Sequence, residues 1–167
     1  TNHISKIPNF STYTDVKEKK RLFFDFLSPT AKDENSHLRQ IREQRMALED
    51  SITAGKTLSG AEREWLNALA TNYKLPDSKP SSQVKQLLTR VDTVPPSLIL
   101  SQAAIESGWG TSRFAKIGNN LFGQWCFKQG CGIVPQQRNN GQSHEVAKFS
   151  SINESVRAYI KNLNSFS

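Results

Sequence analysis

The sequence predicts a mainly α, α+β fold: a helical chain with a small β-hairpin lobe, preceded by an N-terminal helical appendage. Three observations predict it. Apolar residues recur at helical spacing through most of the 167 residues. Ser59-Gly-Ala-Glu62 and Ser151-Ile-Asn-Glu154 are capping boxes, in which Ser and Glu reciprocally satisfy the first N–H groups of a helix. Strand-like alternation is confined to residues 124–149, the stretch that holds both cysteines.

Thr1 to Thr14 is polar and punctuated by Pro8, which reads as a loose arm. Thr14 or Asp15 caps a first helix through Val16 and Leu22 to Leu27. It is expected to stop before Pro29, because proline disfavours helical backbone in the residue before it. Lys32 to Ala54 is a second, longer helix with Leu38, Ile41, Arg45, Leu48 and Ile52 as a narrow stripe and Gly55 as its stop. Its many charges form a solvated face, with room for a protein partner. Ser59 opens a third helix whose Trp65, Leu66, Leu69 and Tyr73 turn inward. After a turn at Pro76 to Pro80, Ser81 or Ser82 opens a fourth, with Val84, Leu87, Leu88 and Val91 inside. Domain boundaries follow: residues 1–79 as appendage and 80–167 as the main domain.

Pro96 to Glu106 is the next helix. Pro96 suits the first helical position, where an N–H has no intrahelical partner. Leu98 to Ile105 is almost wholly apolar, so the helix reads as buried all round. Gly108 and Gly110 end it. Thr111 to Gly118 allows two helical turns, with Phe114 and Ile117 inward. Gln124 to Val134 reads as a hairpin, Gln136 to Ser143 as a loop and Glu145 to Phe149 as a return strand. The last helix runs through Val156, Tyr159, Ile160 and Leu163, and with only Ser165-Phe-Ser167 after it the domain reads as cut short.

Composition excludes several classes. No apolar run reaches the roughly 18 residues of a membrane span. The net charge is +7, and the seven Lys/Arg of residues 95–167 face only Glu106, Glu145 and Glu154. A mildly basic surface attracts acidic polymers such as a bacterial cell wall. There is no Lys/Arg run with interleaved aromatics, which argues against nucleic acid. Cys126 and Cys131 fit a short disulfide-closed loop in an oxidising compartment, periplasmic or secreted, with a pair of reduced thiols as the alternative. Two thiols with His144 as the nearby histidine do not make a metal site, and no cofactor is expected.

Glu106 is the one charge in an apolar helix, above Ile99, Gln102 and Ala103. An apolar wall disfavours the charged form of a carboxyl, which suits a general acid. Trp109, Phe114, Phe122, Trp125 and Phe127 follow within 21 residues, with Asn119 and Asn120 among them. Aromatic faces beside amides are what a carbohydrate site requires. Phe114 and Phe122 read first as core, and Trp109 and Trp125 as groove. Glycoside cleavage normally takes two carboxyls. Glu154 is spent in a capping box, which leaves Glu145 as the candidate second acid. Tyr159 is a further polar group within reach.

Pro96 to Gly110 with its Glu-Ser-Gly-Trp-Gly end, then Ser112-Arg-Phe-Ala, then Asn119-Asn-Leu-Phe-Gly123, resembles the glucosaminidase family of bacterial cell-wall hydrolases. The resemblance covers about residues 80–167. It implies a lysozyme-like helical fold and cleavage of peptidoglycan after N-acetylglucosamine, with Glu106 as acid and Tyr159 in support. Trp109, Asn119, Asn120, Phe122 and Trp125 become the candidate substrate-binding residues. One departure stands out: where family members carry a second acid before an Asn-Gly turn, this chain has Pro135-Gln-Gln-Arg-Asn-Asn-Gly141. Either Glu145 serves from a shifted position, or the substrate's own acetamido oxygen attacks. A lytic transglycosylase and a non-catalytic wall-binding module are the other readings.

Overall fold

The structure is a computed structural model that describes residues 3–165. It is mainly α with a small antiparallel sheet, as the sequence predicts. The elements are α1 (Val16–Thr53), α2 (Gly60–Asn72), α3 (Pro80–Arg90), α4 (Pro96–Glu106), α5 (Arg113–Gly118), β1 (Trp125–Cys126), β2 (Gly132–Ile133), β3 (Glu145–Ala147) and α6 (Ile152–Ser165). The expectation of a chain cut short after the last helix falls on Phe166 and Ser167, outside the described residues, as do Thr1 and Asn2 of the expected arm. The chain folds into two compact units, each discontinuous in sequence. One joins the chain up to Glu34 with Val94–Tyr159; the other joins Asn35–Thr93 with the chain from Ile160.

In the first unit, the arm is not loose. Ile4 O accepts from Ile152 N at 2.8 Å, and Ile4 N donates to Asn153 Oδ1 at 3.0 Å. Ile152 is the first residue of α6, where N–H groups lack helical partners, so the arm satisfies one of them. Phe10 then buries itself, edge-on to Phe23 and Phe26 at 5.6 and 5.8 Å. Burial of Ile7 and Phe10, which polarity counts overlook, is what ties the segment down.

Asp15 caps α1, accepting from Glu18 N at 2.8 Å. The helix does not stop at Pro29; it runs through it to Thr53 as one element. Proline removes one hydrogen bond, to the carbonyl of Asp25, but both residues are exposed and water can complete that carbonyl. Phe23, Leu27 and Ala31 on the opposite side are fully buried, and their packing outweighs the local preference. Glu34, also buried, accepts two hydrogen bonds from Arg157, from Nε to Oε2 and from Nη2 to Oε1, both 3.0 Å.

The second unit has its own core of Leu38, Leu48, Leu66, Leu69, Val84 and Leu87. The Ser59–Glu62 capping box opens α2 as predicted. Arg45, within the apolar stripe, is buried and donates to Glu49 Oε2 and Val84 O at 2.7 and 2.9 Å. The stop at Gly55 also holds, with φ +74°.

Three local expectations are corrected. Helix α4 is not buried all round: Leu98 is 43% and Ile105 70% exposed. A helix apolar on every side names no face, and Ile99, Ala103 and Ala104 are the face that packs. Ile117 of α5 turns outward. Finally, Gln124 to Val134 is not a hairpin. The strand order is β1-β3-β2, with β3 antiparallel to both neighbours, Trp125 opposite Val146 and Gly132 opposite Ala147. The Cys126–Cys131 disulfide closes the loop between β1 and β2. A Cβ on Gly132 would lie 2.0 Å from Val146 O, so only glycine fits that approach.

Candidate active site

Helix α4 ends on Glu106, which is exposed. The chain then reverses through Gly108, Trp109 and Gly110, all left-handed, with φ of +56°, +58° and +76°. Ser107 holds the reversal: its hydroxyl donates to Ala103 O at 2.5 Å and accepts from Gly110 N at 2.9 Å. Trp109 N donates to Ala104 O at 2.8 Å. Trp109 is the unusual member, since a left-handed backbone costs a residue with a Cβ about 1–2 kcal/mol. Packing holds it there, with its ring edge-on to Phe23 and Phe24 at 5.7 and 5.2 Å. Lys20 Nζ lies over the ring, 4.9 Å from its centroid. Gly110 has no room for a side chain, because a Cβ would meet Ile7 at 2.7 Å and Phe10 at 3.0 Å.

The Asn119–Gly123 segment supplies the next wall. Asn119 is the left-handed cap of α5, and its Nδ2 donates to Ser5 O and Phe149 O at 3.1 and 3.2 Å. Asn120 is 1% exposed and uses all of its amide. Nδ2 donates to Gln124 O and Ala147 O, both 2.9 Å, and Oδ1 accepts from Phe122 N and Gln124 N at 3.3 and 3.1 Å. Both amides therefore hold backbone. Phe122 is buried and lies flat on Tyr159, with ring centroids 4.2 Å apart and planes at 6°. Gly123 follows with φ +62°, and a Cβ there would sit 3.4 Å from Glu106 Oε2. Glu106, Phe122, Gly123 and Tyr159 thus gather in one place. Burial, and secondarily the negative charge of Glu106, hold the Tyr159 phenol above its ordinary value, so it stays a hydrogen-bond donor.

The lobe holds the other candidates. Trp125 is 60% exposed and stacks on His144, with centroids 4.3 Å apart. Glu145 is buried, and each of its oxygens has a backbone donor: Gly130 N to Oε1 at 3.0 Å and Gly132 N to Oε2 at 2.9 Å. These N–H groups, the Gly130 bond foremost, keep its carboxyl below the ordinary range against the opposing effect of burial, and Arg138 adds to them. Its carboxylate lies within 4.8 Å of the disulfide sulfurs. Among the described residues, Cys126, Cys131 and Glu145 are the group close enough to suggest a metal, but bonded sulfurs are not thiolate ligands.

Sequence reasoning did not find the roles of Lys20, Phe23 and Phe24 around Trp109, nor His144 beneath Trp125. The apolar run Leu22–Leu27 signalled a helix face but not what it faces.

The helical fold, a lone carboxylate at a helix end and the Asn-Asn-Leu-Phe-Gly wall meet a family model here. The model described as "Glucosaminidase: Mannosyl-glycoprotein endo-beta-N-acetylglucosaminidase" matches residues 81–167, and the chain belongs to that family of glycosidases. It is similar to Protein bax of Escherichia coli (strain K12), 36% identical over 162 residues that cover 96% of this chain and 56% of that protein. The chain therefore spans a little over half the length of that relative. No solved structure matches.

Proposed function

We propose that the chain is a peptidoglycan hydrolase, an endo-β-N-acetylglucosaminidase that cleaves after N-acetylglucosamine with Glu106 as general acid. One observation carries the reading: on residues matched by the family model, the Glu106 carboxylate lies against Gly123, in the segment whose Phe122 stacks on Tyr159. Glu106, at the open end of α4, protonates the leaving glycosidic oxygen. The missing side chain at Gly123 leaves space for a pyranose against that carboxyl. Tyr159, oriented by its stack on Phe122, donates to the substrate carbonyl or to water. Trp125 offers an exposed ring to the glycan. The two N–H groups on Glu145 support a bracing role for that carboxylate, so the proposal gives it no chemical step. The substrate's acetamido oxygen attacks the anomeric carbon as the protonated glycosidic oxygen leaves, and water then attacks that carbon, opens the oxazolinium and returns a proton to Glu106. In chain order, residues 80–167 are the proposed catalytic domain. The preceding segment contributes Phe23 and Phe24 as the wall behind Trp109. The Cys126–Cys131 disulfide supports a location in the cell envelope.

The engagement of Glu145 also favours a second reading, a lytic transglycosylase that needs one acid only. One experiment separates these. Purified sacculi are digested with wild type and Glu106→Gln, and the products are read by reducing-sugar assay and mass spectrometry. Reducing N-acetylglucosamine ends lost in the variant support the hydrolase, whereas anhydro-muramic ends mean the transglycosylase. Activity retained in Glu106→Gln rejects the acid, and sacculus binding with no product from wild type supports a non-catalytic module.

A further inference from the structure

We infer that Lys20 is a specificity-determining residue: its ammonium, held over Trp109, reads a carboxylate on the glycan and favours muramyl-bearing strands over neutral amino-sugar polymers. The inference rests on the proposed function. Three residue steps along the backbone separate Trp109 from Glu106, so their Cα atoms are at most about 11 Å apart. Phe23 and Phe24 meet the ring in T-shaped contacts, and Lys20 lies over a face. That face is not free for a sugar to stack on, and what it presents beyond the indole is a positive charge.

Lys20 is exposed, and among the described residues it has no ion pair. Arg21, beside it, is paired with Asp25 at 3.0 Å. Lys17 and Lys19 keep the rest of that turn basic, with Glu18 the one acid among them. An ammonium fixed by an aromatic face loses less freedom when it meets an anion than one on a free side chain. Peptidoglycan differs from chitin in one relevant way: its muramyl residues carry a lactyl ether that ends in a carboxylate when no peptide is attached. A cation held on the ring of Trp109, three residues from Glu106, is the feature that separates the two polymers.

The test uses the full chain, peptide-free glycan strands with free lactyl carboxylates, the same strands with those carboxylates methyl-esterified, and chitooligosaccharides. Equilibrium binding is measured in the Glu106→Gln background, with and without Lys20→Met or Lys20→Arg; kcat and KM are measured with Glu106 present. Lys20→Met, which keeps the aliphatic stem, is expected to weaken binding of the free-acid strands about fivefold, the scale of one solvated ion pair. It leaves the ester and chitooligosaccharides unchanged, and the loss appears in KM rather than kcat. Lys20→Arg retains the preference. Equal binding of acid and ester by the Lys20 protein, or an equal loss on all three ligands in Lys20→Met, overturns the inference. Because binding is read without turnover, failure of wild type to cleave any strand counts against the proposed function alone.

Discussion

Substituting Asn120 separates a brace from a sugar contact. In the structure the amide makes four hydrogen bonds, two donated and two accepted, at 2.9 to 3.3 Å and almost without exposure. Each such bond contributes about 1 kcal/mol net, and more where the stranded partner stays dry. Asn120→Ala should therefore cost about 4 kcal/mol. For a chain of this size that is a fall in melting temperature of roughly 8–16 °C. Asn120→Asp keeps the two acceptor bonds but aims a carboxylate oxygen at the carbonyls of Gln124 and Ala147. It should melt no higher than the alanine variant near neutral pH and recover partly on acidification, when the carboxyl regains a proton to donate. The assay is thermal unfolding by circular dichroism, paired with glycan binding below the transition. If Asn120→Ala melts within about 2 °C of wild type while glycan binding falls, the bracing role is wrong and the amide meets substrate.

Three further outcomes follow from specific contacts. Glu145 has a depressed folded pKa, so its contribution is present above the unfolded value and is lost as pH falls through the folded one; the melting point of wild type should drop more steeply below about pH 4.5 than that of Glu145→Gln, followed by calorimetry. Arg157→Met leaves the buried Glu34 carboxylate without its bidentate partner and should cost about 3 kcal/mol, whereas Glu34→Gln leaves a half-exposed guanidinium that water can solvate and should cost about 1 kcal/mol, both measured by urea denaturation. Gly132→Ala forces β2 away from Val146 and should make the Cys126–Cys131 disulfide markedly faster to reduce under native conditions, as scored by thiol labelling.

Local chemistry made part of this fold legible. Pro96 at a first helical position, the Ser59–Glu62 box and the cysteine spacing each state their structure within a few residues. Pro29 misled because its rule is also local, while the forces that keep α1 continuous come from Phe23, Leu27 and Ala31 packing elsewhere. Strand order was illegible for a related reason: nothing in Gln124 to Val134 says that a strand from residues 145–147 will enter between its two halves. At the site, Glu106 and Tyr159 could be singled out by residue type and motif. Asn119 and Asn120 read as sugar-binding amides because an amide offers the same donors and acceptors whether its partner is an acetamide or a backbone. Glu145, likewise, bears no sign in the sequence of the two glycine N–H groups that hold it.

The bond from Ile4 to Asn153 spans 149 residues. Its consequence is temporal. A chain made from its N-terminus at about 5–20 residues per second exposes the arm some 8–30 s before its partner exists. For about the first 5–20 s of that interval, until residues 109 and 110 are made, Ile7, Phe10 and Phe23 have neither Gly110 nor Trp109 to pack on. The apolar segment that later packs behind Gly110 and Trp109 is exposed to water until then. The arm is therefore fixed not when Glu106 is made but when the start of α6 is.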